Sequence, residues 1–174
     1  MKSYNISEIN EWKDEVRAGD ALLLSGYIYT ARDAAHKKMC AALENGEQLP
    51  FDLKGACIYY AGPTETPDGC VIGSIGPTTS SRMDKFTPTL LNLGLSAMIG
   101  KGDRSSLVVD SIGINKALYF CAVGGAGAYI ANCVKSCEVI AYPELGCESV
   151  KKLYVQDFLV FCAIDTHKNN IFNR

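Results

Sequence analysis

The sequence has little of the side-chain chemistry from which metal sites and most nucleophilic active sites are built, with only two histidines in 174 residues. It has eight cysteines, but most lie inside apolar runs, where thiols behave as small buried hydrophobic groups. The pair Cys133 and Cys137 has neither the spacing of a zinc pair nor that of a ferredoxin-type cluster. We therefore expect no metal ligand among this chain's own residues, and we expect a reducing compartment, the cytoplasm.

Long apolar runs and an excess of basic charge are also missing. No apolar run approaches the length of a membrane span, and residues 1–8 lack the apolar core of a secretory signal. The net charge is −2 and the basic residues are scattered, so the sequence predicts no nucleic-acid partner and no membrane partner. Because 48% of the residues are hydrophobic, a sizeable core is available, and we predict a single domain over residues 1–174.

Strand patterns and helix patterns alternate along the chain, which predicts an α/β fold with a mixed central sheet flanked by helices. We expect strands at residues 21–30, 55–61, 71–75, 96–100, 117–123, 138–141 and 158–165. We expect helices at residues 7–16, 33–45, 89–93, 105–112 and 149–153, and another that ends near residue 135. The loop at residues 62–69 is dense in turn formers, so it predicts an antiparallel hairpin between the strands on either side of it.

A polar loop follows the expected strand at residues 71–75. Gly76 and Pro77 end the strand, because proline cannot continue a central ladder. The hydroxyl side chains of residues 78–81 can each cap a helix, and Arg82 adds a planar fork of donors suited to a carboxylate or a phosphate. Two interpretations stay open for this segment alone: an anion site, or an ordinary capped helix start with a solvent-facing arginine.

Three cationic side chains follow expected strands, and this recurrence favours the anion site. Arg32, Arg82 and Lys101 each come after a strand and beside small residues that let the backbone approach a ligand. Because ligands of α/β sheets bind outside the carboxyl ends of the strands, we expect these cations to converge on a small dianion such as a dicarboxylate. His36 lies four residues after Arg32 on the same helix face and either orients its neighbours or carries a proton. His167 lies in a polar loop that we expect to be solvated.

The glycine-rich stretch at residues 124–128 is the other candidate ligand loop. It lacks both the Gly-x-Gly-x-x-Gly spacing and the Gly-Lys-Ser/Thr of a phosphate loop. Close packing of a helix on a strand therefore explains it better than nucleotide binding does.

Several stretches of the chain together carry a resemblance to a known family. They are residues 26–38 with Thr-Ala-Arg-Asp-Ala-Ala-His-Lys-Lys, residues 49–55, residues 59–64, residues 72–84 with Gly-Pro-Thr-Thr-Ser-Ser-Arg, residues 98–102 and residues 139–146. They resemble the β subunit of the iron–sulfur hydro-lyases, which comprise class I fumarate hydratases and L-tartrate dehydratases. The resemblance runs nearly from end to end, and the fumarate hydratase branch matches best.

This resemblance implies a swivelling β/β/α domain that is active only with a partner α subunit. The partner would carry a four-iron four-sulfur cluster, with none bound by this chain, and the whole would hydrate fumarate reversibly to L-malate. An α2β2 assembly with a homodimeric contact is also implied. Two alternatives stay open: an L-tartrate dehydratase β subunit, and a non-catalytic subunit that binds a dicarboxylate or stabilises an assembly.

The resemblance also implies roles for individual residues. The residues concerned are Thr78 at the position of the base, Arg32 and Arg82 at positions that clamp substrate carboxylates, Lys101 near the threonine, Thr79 beside the substrate, and His36 at an active-site histidine of the tartrate branch. A threonine hydroxyl is a weak base unless nearby cations stabilise its alkoxide. Thr78 is therefore either the base or a residue that orients the substrate.

Overall fold

The computed structural model describes residues 1–173 and has a seven-stranded mixed sheet flanked by helices. The strands are β1 (Lys2–Asn5), β2 (Ala21–Thr30), β3 (Cys57–Tyr59), β4 (Ala97–Gly100), β5 (Leu118–Cys121), β6 (Val134–Ala141) and β7 (Val150–Ile164). The α-helices are α1 (Ile9–Trp12), α2 (Asp33–Glu44), α3 (Thr87–Asn92), α4 (Ser106–Asn115) and α5 (Gly127–Cys133). Short 3-10 helices cover Ile6–Glu8, Lys13–Glu15, Ser80–Met83 and Pro143–Glu148. The predicted mixed α/β fold is confirmed.

The sheet closes on itself through its last strand. The strand order is β1-β2-β3-β4-β5-β7-β6, and the first five strands are parallel. Strand β7 runs antiparallel to β5 and also pairs with β2, so that five strands form a barrel-like ring. Because β2 to β5 are parallel, their carboxyl ends lie at one end of this ring. The segments that carry Arg32 and Lys101 start there, and the loop that carries Thr78 and Arg82 is hydrogen-bonded to the same end through Tyr60 O.

The length of β7 corrects one prediction. The sequence predicted a helix at residues 149–153 and a strand only from residue 158, whereas one strand of 15 residues covers Val150–Ile164. Residues 150–155 alternate between more and less buried positions, as in a strand, and they pair with both β2 and β6. The predicted helix is therefore wrong, because two long-range strand partners decide the conformation of this segment.

The predicted hairpin is wrong as a pair of strands: its two arms are joined only by an isolated antiparallel bridge between Ala61 and Pro77 and by a hydrogen bond from Thr64 N–H to Ser74 O at 2.9 Å. Strand β3 already has β2 on one side and β4 on the other, so no edge is free for residues 71–75. These residues form no strand, although Ile72 and Ile75 are buried. Ile75 instead donates a backbone hydrogen bond to the carbonyl of Gly127 at 3.1 Å. The antiparallel element that makes the sheet mixed is β7.

Alternating residues of the strands supply two cores. Tyr59, Ile99 and Phe120 belong to a buried cluster that also includes residues of α1 and α5. Tyr60 and Met98 point to the other face, where they join a second cluster with residues of α2, α3 and α4. Both faces of the central strands are thus covered, as parallel strands require.

Residues 1–46 follow their local sequence pattern closely. Strand β2 has the predicted bounds, and α2 ends before Gly46, whose φ of 71° is readily adopted only by glycine and a few other residues. The predicted helix at residues 7–16 is broken into α1 and two 3-10 turns, but Ile9, Trp12 and Val16 are buried as its spacing indicated. The other predicted strands and helices are present with bounds shifted by a few residues.

Among residues 1–173, no helix is long and apolar enough to cross a membrane.

Candidate active site

The candidate site lies where β2, β3 and β4 end. Backbone hydrogen bonds join the three strand ends: Tyr60 N–H donates to Ile99 O at 2.8 Å, and Ala31 N–H donates to Tyr59 O at 3.2 Å. The polar loop is attached to the same place, because Thr78 N–H donates to Tyr60 O at 2.7 Å. Residues from three distant parts of the chain therefore meet at one end of the ring.

The loop that carries Thr78 and Thr79 is paired with the end of β4. Thr79 and Lys101 form an isolated parallel bridge. Next to it, Ser80 N–H donates to Lys101 O at 2.9 Å, and Lys101 N–H donates to Ser80 Oγ at 3.1 Å. The approach is close because Gly100 has no side chain: a Cβ there would lie 1.9 Å from Ser80 Oγ. Thr78 is half-buried, whereas the side chains of Thr79 and Lys101 are exposed.

Arg82 lies on the 3-10 turn Ser80–Met83 and reaches the start of α2. Its Nε donates a hydrogen bond to Asp33 Oδ1 at 3.0 Å, and its side chain is 53% exposed. Asp33 directly follows Arg32 in the chain, so this ion pair brings Arg82 next to the segment that carries Arg32.

Arg32 lies at the N-cap of α2 and is half-buried. Its Nε is 3.4 Å from Glu148 Oε1, an ion-pair contact whose geometry is not that of a hydrogen bond. The guanidinium passes close to Gly62, where a Cβ would lie 3.2 Å from Nη1. A Cβ at position 62 would also lie 2.9 Å from the backbone oxygen of Cys147, so this backbone contact favours glycine there.

His36 is completely buried one turn into α2. Its Nδ1 is 2.8 Å from Arg32 O, and since a carbonyl oxygen only accepts, Nδ1 carries the proton and Nε2 is an acceptor. Nε2 has no hydrogen-bond partner among the described residues. Burial lowers the pKa of His36 to about 4, with a further lowering by the Arg104 charge, despite the opposing hydrogen bond to Arg32. The imidazole is therefore neutral at pH 7.

A buried ionic cluster behind the loop escaped sequence reasoning. Arg104 Nε donates to Asp84 Oδ1 at 2.7 Å, and its Nη2 donates to Thr87 Oγ1 at 2.8 Å, while its side chain is fully shielded from solvent. Tyr119 donates from its hydroxyl to Gly102 O at 2.7 Å, and the same hydroxyl is within hydrogen-bond distance of Ser80 Oγ, at 2.9 Å. The sequence shows Arg104 only as one more cation after β4, and no local pattern distinguishes a buried arginine from an exposed one.

Two acidic residues beside the site were also missed by sequence reasoning. Asp33 and Glu148 contact the two arginines, and one oxygen of each carboxylate is buried without a hydrogen-bond partner. Asp33 is a neighbour of Arg32 in the sequence, but Glu148 follows it by more than a hundred residues. Only the pairing of β7 with β2 brings the Glu148 segment to this place.

Two other sequence features lie away from the cations. His167 is exposed in the turn after β7, where its backbone N–H donates to Asp165 Oδ1 at 2.9 Å. In the glycine-rich stretch, Gly127 packs against residues 74–76, since a Cβ there would lie 2.4 Å from Ser74 Oγ. This packing supports the interpretation of close contact for Gly127 alone, because a Cβ at Gly124 or Gly125 would have no atom within 4 Å.

The cysteines of this chain do not fit a metal cluster. Among residues 1–173, no group of three or more His, Cys, Asp or Glu side chains is placed to hold a metal ion. All eight cysteines are free, and burial raises the pKa of the Cys57 and Cys162 thiols far above their usual value. These thiols stay protonated near neutral pH, whereas a metal ligand must be a thiolate.

Comparison with known proteins gives consistent results over the whole chain. A family model described as "Fumarase C-terminus" matches residues 2–174. The chain is 42% identical over 155 residues to "Fumarate hydratase class I, aerobic" of Escherichia coli K12, which covers 88% of this chain and 28% of that protein. It is 36% identical over 171 residues to "Fumarate hydratase 2" of Leishmania major, covering 97% of this chain and 30% of that protein.

A third relative has nearly the same extent as this chain. The protein of Methanocaldococcus jannaschii named "Putative L(+)-tartrate dehydratase subunit beta" is 39% identical over 164 residues, which covers 91% of this chain and 84% of that protein. By contrast, the chain spans less than a third of the length of the fumarate hydratases that it matches.

Proposed function

The chain belongs to the fumarase C-terminus family, and from this premise we propose that it is the β subunit of an iron–sulfur hydro-lyase that interconverts fumarate and L-malate. The relatives in Escherichia coli and Leishmania major are named fumarate hydratases, and the relative of similar extent is named a subunit beta. The observation that supports the proposal is that the chain segments carrying Thr78, Arg32, Arg82 and Lys101 are joined at the ends of β2, β3 and β4.

The proposal assigns the iron–sulfur cluster to a partner α subunit. The described residues of this chain offer no cluster ligands, and most of the length of the fumarate hydratases lies outside the part that this chain matches. We place the substrate between the two subunits, in an α2β2 assembly with a contact between two β subunits. The eight free cysteines are consistent with a reducing compartment such as the cytoplasm.

Substrate binding is assigned to the cations. Arg32 and Arg82 each present a planar guanidinium that pairs with a carboxylate through two parallel hydrogen bonds, so that two arginines hold both ends of a four-carbon dicarboxylate. Lys101 adds a third positive charge next to Thr79, whose exposed hydroxyl is free to contact the substrate. Three fixed cations also favour the form of the reacting molecule that carries the most negative charge.

Proton transfer is assigned to Thr78. Its backbone N–H is bonded to Tyr60 O, and no hydrogen bond among the described residues involves its hydroxyl, which leaves the oxygen available to the substrate. Fixed cations beside a hydroxyl stabilise its alkoxide, which is the condition for a threonine to act as a base. In this proposal, the Thr78 oxygen takes the proton from the carbon next to the one that loses hydroxide, and returns it in the hydration direction.

His36 is assigned the role of orienting Arg32. Its Nδ1–H donates to the carbonyl of Arg32, and this bond fixes the backbone at the N-cap of α2. A histidine with a pKa of about 4 is almost entirely neutral at pH 7, so it does not act there as a proton donor.

L-Tartrate dehydratase is the second candidate activity. The Methanocaldococcus jannaschii relative favours it, because that protein is similar to this chain over most of its own length. Tartrate and malate differ by one hydroxyl group, and the arginines and Lys101 serve both substrates equally well. Recognition of the additional hydroxyl of tartrate, rather than of the carboxylates, therefore decides between the two activities.

The experiment that tests the proposal is turnover by the complex of this chain with its co-purified partner, isolated without oxygen. Fumarate, L-malate and L-tartrate are supplied in parallel, and we expect interconversion of the first two to be fastest. Faster dehydration of tartrate would assign the second activity. Binding of these acids without any turnover would show a non-catalytic subunit and contradict the proposal.

A further inference from the structure

Each of the two arginines of the candidate site is approached at its Nε atom by a different acidic residue of this chain. Arg82 Nε donates to Asp33 Oδ1 at 3.0 Å, and Arg32 Nε lies 3.4 Å from Glu148 Oε1. None of the hydrogen bonds formed by residues 1–173 involves an Nη atom of either arginine. Arg82 Nε is thus hydrogen-bonded to a carboxylate, and Arg32 Nε faces a carboxylate in an ion-pair contact without a hydrogen bond. The Nη groups of both arginines remain available for hydrogen bonds to a ligand.

This arrangement matters because a guanidinium offers two edges to a carboxylate. One edge is formed by Nε and one Nη, and the other by the two Nη groups. A carboxylate at Nε blocks the first edge and leaves the second for a bidentate contact. It also restricts rotation of a long side chain that otherwise loses conformational entropy when a ligand binds.

The two acidic residues are built into the fold rather than free on the surface. The side chain of Asp33 is 33% exposed and that of Glu148 is 27% exposed. Asp33 Oδ2 and Glu148 Oε1 are buried and have no hydrogen-bond partner among the described residues, although a buried carboxylate oxygen without a partner is costly. Glu148 Oε1 is the atom that faces Arg32 Nε, which is likewise buried without a hydrogen-bond partner among the described residues.

We propose that Asp33 and Glu148 are positioning residues that orient Arg82 and Arg32, so that their Nη edges face the two carboxylates of one substrate. This inference rests on the proposed function for the identity of the substrate. The carboxylates stay in place when the substrate binds. In this respect they differ from a carboxylate that occupies the substrate position in the free protein and is displaced when the substrate binds.

The test compares two kinds of variant at each position in the reconstituted complex. Asp33→Ala and Glu148→Ala remove the oxygen that faces Nε, whereas Asp33→Asn keeps an amide oxygen that can still accept from Arg82 Nε, and Glu148→Gln keeps an oxygen that faces Arg32 Nε without the charge. We expect kcat/KM to fall roughly 10- to 100-fold in the alanine variants, because a guanidinium that is no longer held in place binds the substrate in a less reactive geometry. We expect Asp33→Asn to recover most of this loss and Glu148→Gln to recover part of it, because the contact of Glu148 with Arg32 is an ion pair rather than a hydrogen bond.

A separation of KM from kcat distinguishes positioning from damage to the fold. Loss of a clamp that holds the substrate before and during the reaction raises KM, whereas a partly unfolded sample lowers the apparent kcat and leaves KM unchanged. Asp110→Ala and Glu144→Ala are the matched controls, since they break exposed ion pairs with Lys168 and Lys38. Both controls should keep the wild-type KM.

A second readout does not need activity. In the full chain labelled with 15N-arginine, the Nε–H of Arg82 should exchange with solvent more slowly in wild type and Asp33→Asn than in Asp33→Ala. If the wild-type complex turns over no dicarboxylate, the proposed function fails, while this exchange measurement still tests the orientation. Slow exchange in all three proteins would overturn the positioning role.

Three kinetic outcomes would overturn the proposal. The first is a kcat/KM of the alanine variants within twofold of wild type. The second is an amide variant as impaired as the alanine variant, which would assign the effect to charge rather than orientation. The third is a gain in kcat/KM in both kinds of variant, which would show that these carboxylates compete with the substrate.

Discussion

Arg104 and Asp84 form a buried ion pair, with 2.7 Å between Nε and Oδ1, that fastens the loop carrying Thr78 and Arg82 to the loop carrying Lys101. Asp84 also accepts from the backbone N–H of Ser105 at 2.7 Å, so both of its oxygens are used. The guanidinium lies 4.9 Å from the ring centre of Tyr119. Two segments of the candidate site are thus held in place by one arginine that does not reach it.

The first prediction concerns this ion pair. Arg104→Met should lower the free energy of unfolding by about 3 kcal/mol, because it leaves the Asp84 carboxylate without its buried partner. Urea denaturation of the purified chain measures this change. Asp110→Asn breaks an exposed ion pair with Lys168 and should cost less than about 0.5 kcal/mol. Equal effects of the two substitutions would contradict the role given to Arg104.

The second prediction concerns the close contact at the end of β4. Gly100→Ala should destabilise the chain by about 2 kcal/mol, since the new Cβ would collide with Ser80 Oγ. Ser80→Ala removes that oxygen, so the double variant should be more stable than the sum of the single effects. A double-mutant cycle by urea denaturation measures the coupling, and additive effects would rule out the collision as the cause.

The third prediction concerns Arg82. Arg82→Lys should lower kcat/KM of the complex roughly 100-fold with the fold intact, because a point charge does not reproduce a bidentate contact to a carboxylate. Steady-state kinetics and circular dichroism are the measurements. Arg17→Lys is the control, since Arg17 donates to the carbonyls of Asp14 and Val16 away from the site. Wild-type kinetics for Arg82→Lys would remove Arg82 from the substrate clamp.

The fourth prediction concerns pH and His36. Its pKa is about 4 in the folded chain and about 6.5 in the unfolded chain, so between these values the unfolded state binds the additional proton. The stability of the chain should therefore fall as the pH falls from 6.5 to 4, by up to about 3 kcal/mol from this residue. Well above pH 6.5, by about pH 8, the histidine is neutral in both states and contributes no pH dependence.

The matched variant for this measurement is His36→Gln, which has no titrating group. Urea denaturation of both proteins between pH 4.5 and 7.5 gives the difference in slope, from which the carboxylates common to both proteins cancel. Parallel stability curves for the two proteins would show that His36 titrates normally in the folded chain.

The sequence predicts elements well where the decisive contacts are local. The alternation in residues 21–30 and the helical spacing that ends at Gly46 gave β2 and α2 with bounds close to those of the structure. The helix expected at residues 149–153 failed because strand pairing with β2 and β6 is a long-range effect. The hairpin failed for the same reason, since β4 already occupies the edge of β3 that it would need.

The candidate site shows the same contrast between features set by local sequence and features set by long-range contacts. Arg32 and Lys101 could be proposed from the sequence because each follows a strand, and parallel strands end on one side. Arg82 was proposed from a strand at residues 71–75 that the structure does not have, and its loop reaches the site through the hydrogen bond from Thr78 N–H to Tyr60 O. The acidic residue that contacts Arg32 could not be proposed from the sequence, because Glu148 reaches Arg32 through the pairing of β7 with β2. The burial of Arg104 likewise depends on the packing of Tyr60 and Tyr119, which no sequence spacing reveals.

The most direct test of the central claim is the hydration of fumarate under anaerobic conditions by three samples: this chain alone, its partner alone, and the two mixed. The claim is that this chain supplies the cations and the proton-transferring group of a site that its partner completes. It predicts negligible formation of L-malate in either separate sample and rapid formation in the mixture. Rapid hydration by the cluster-free chain alone, or by the partner alone, would contradict it.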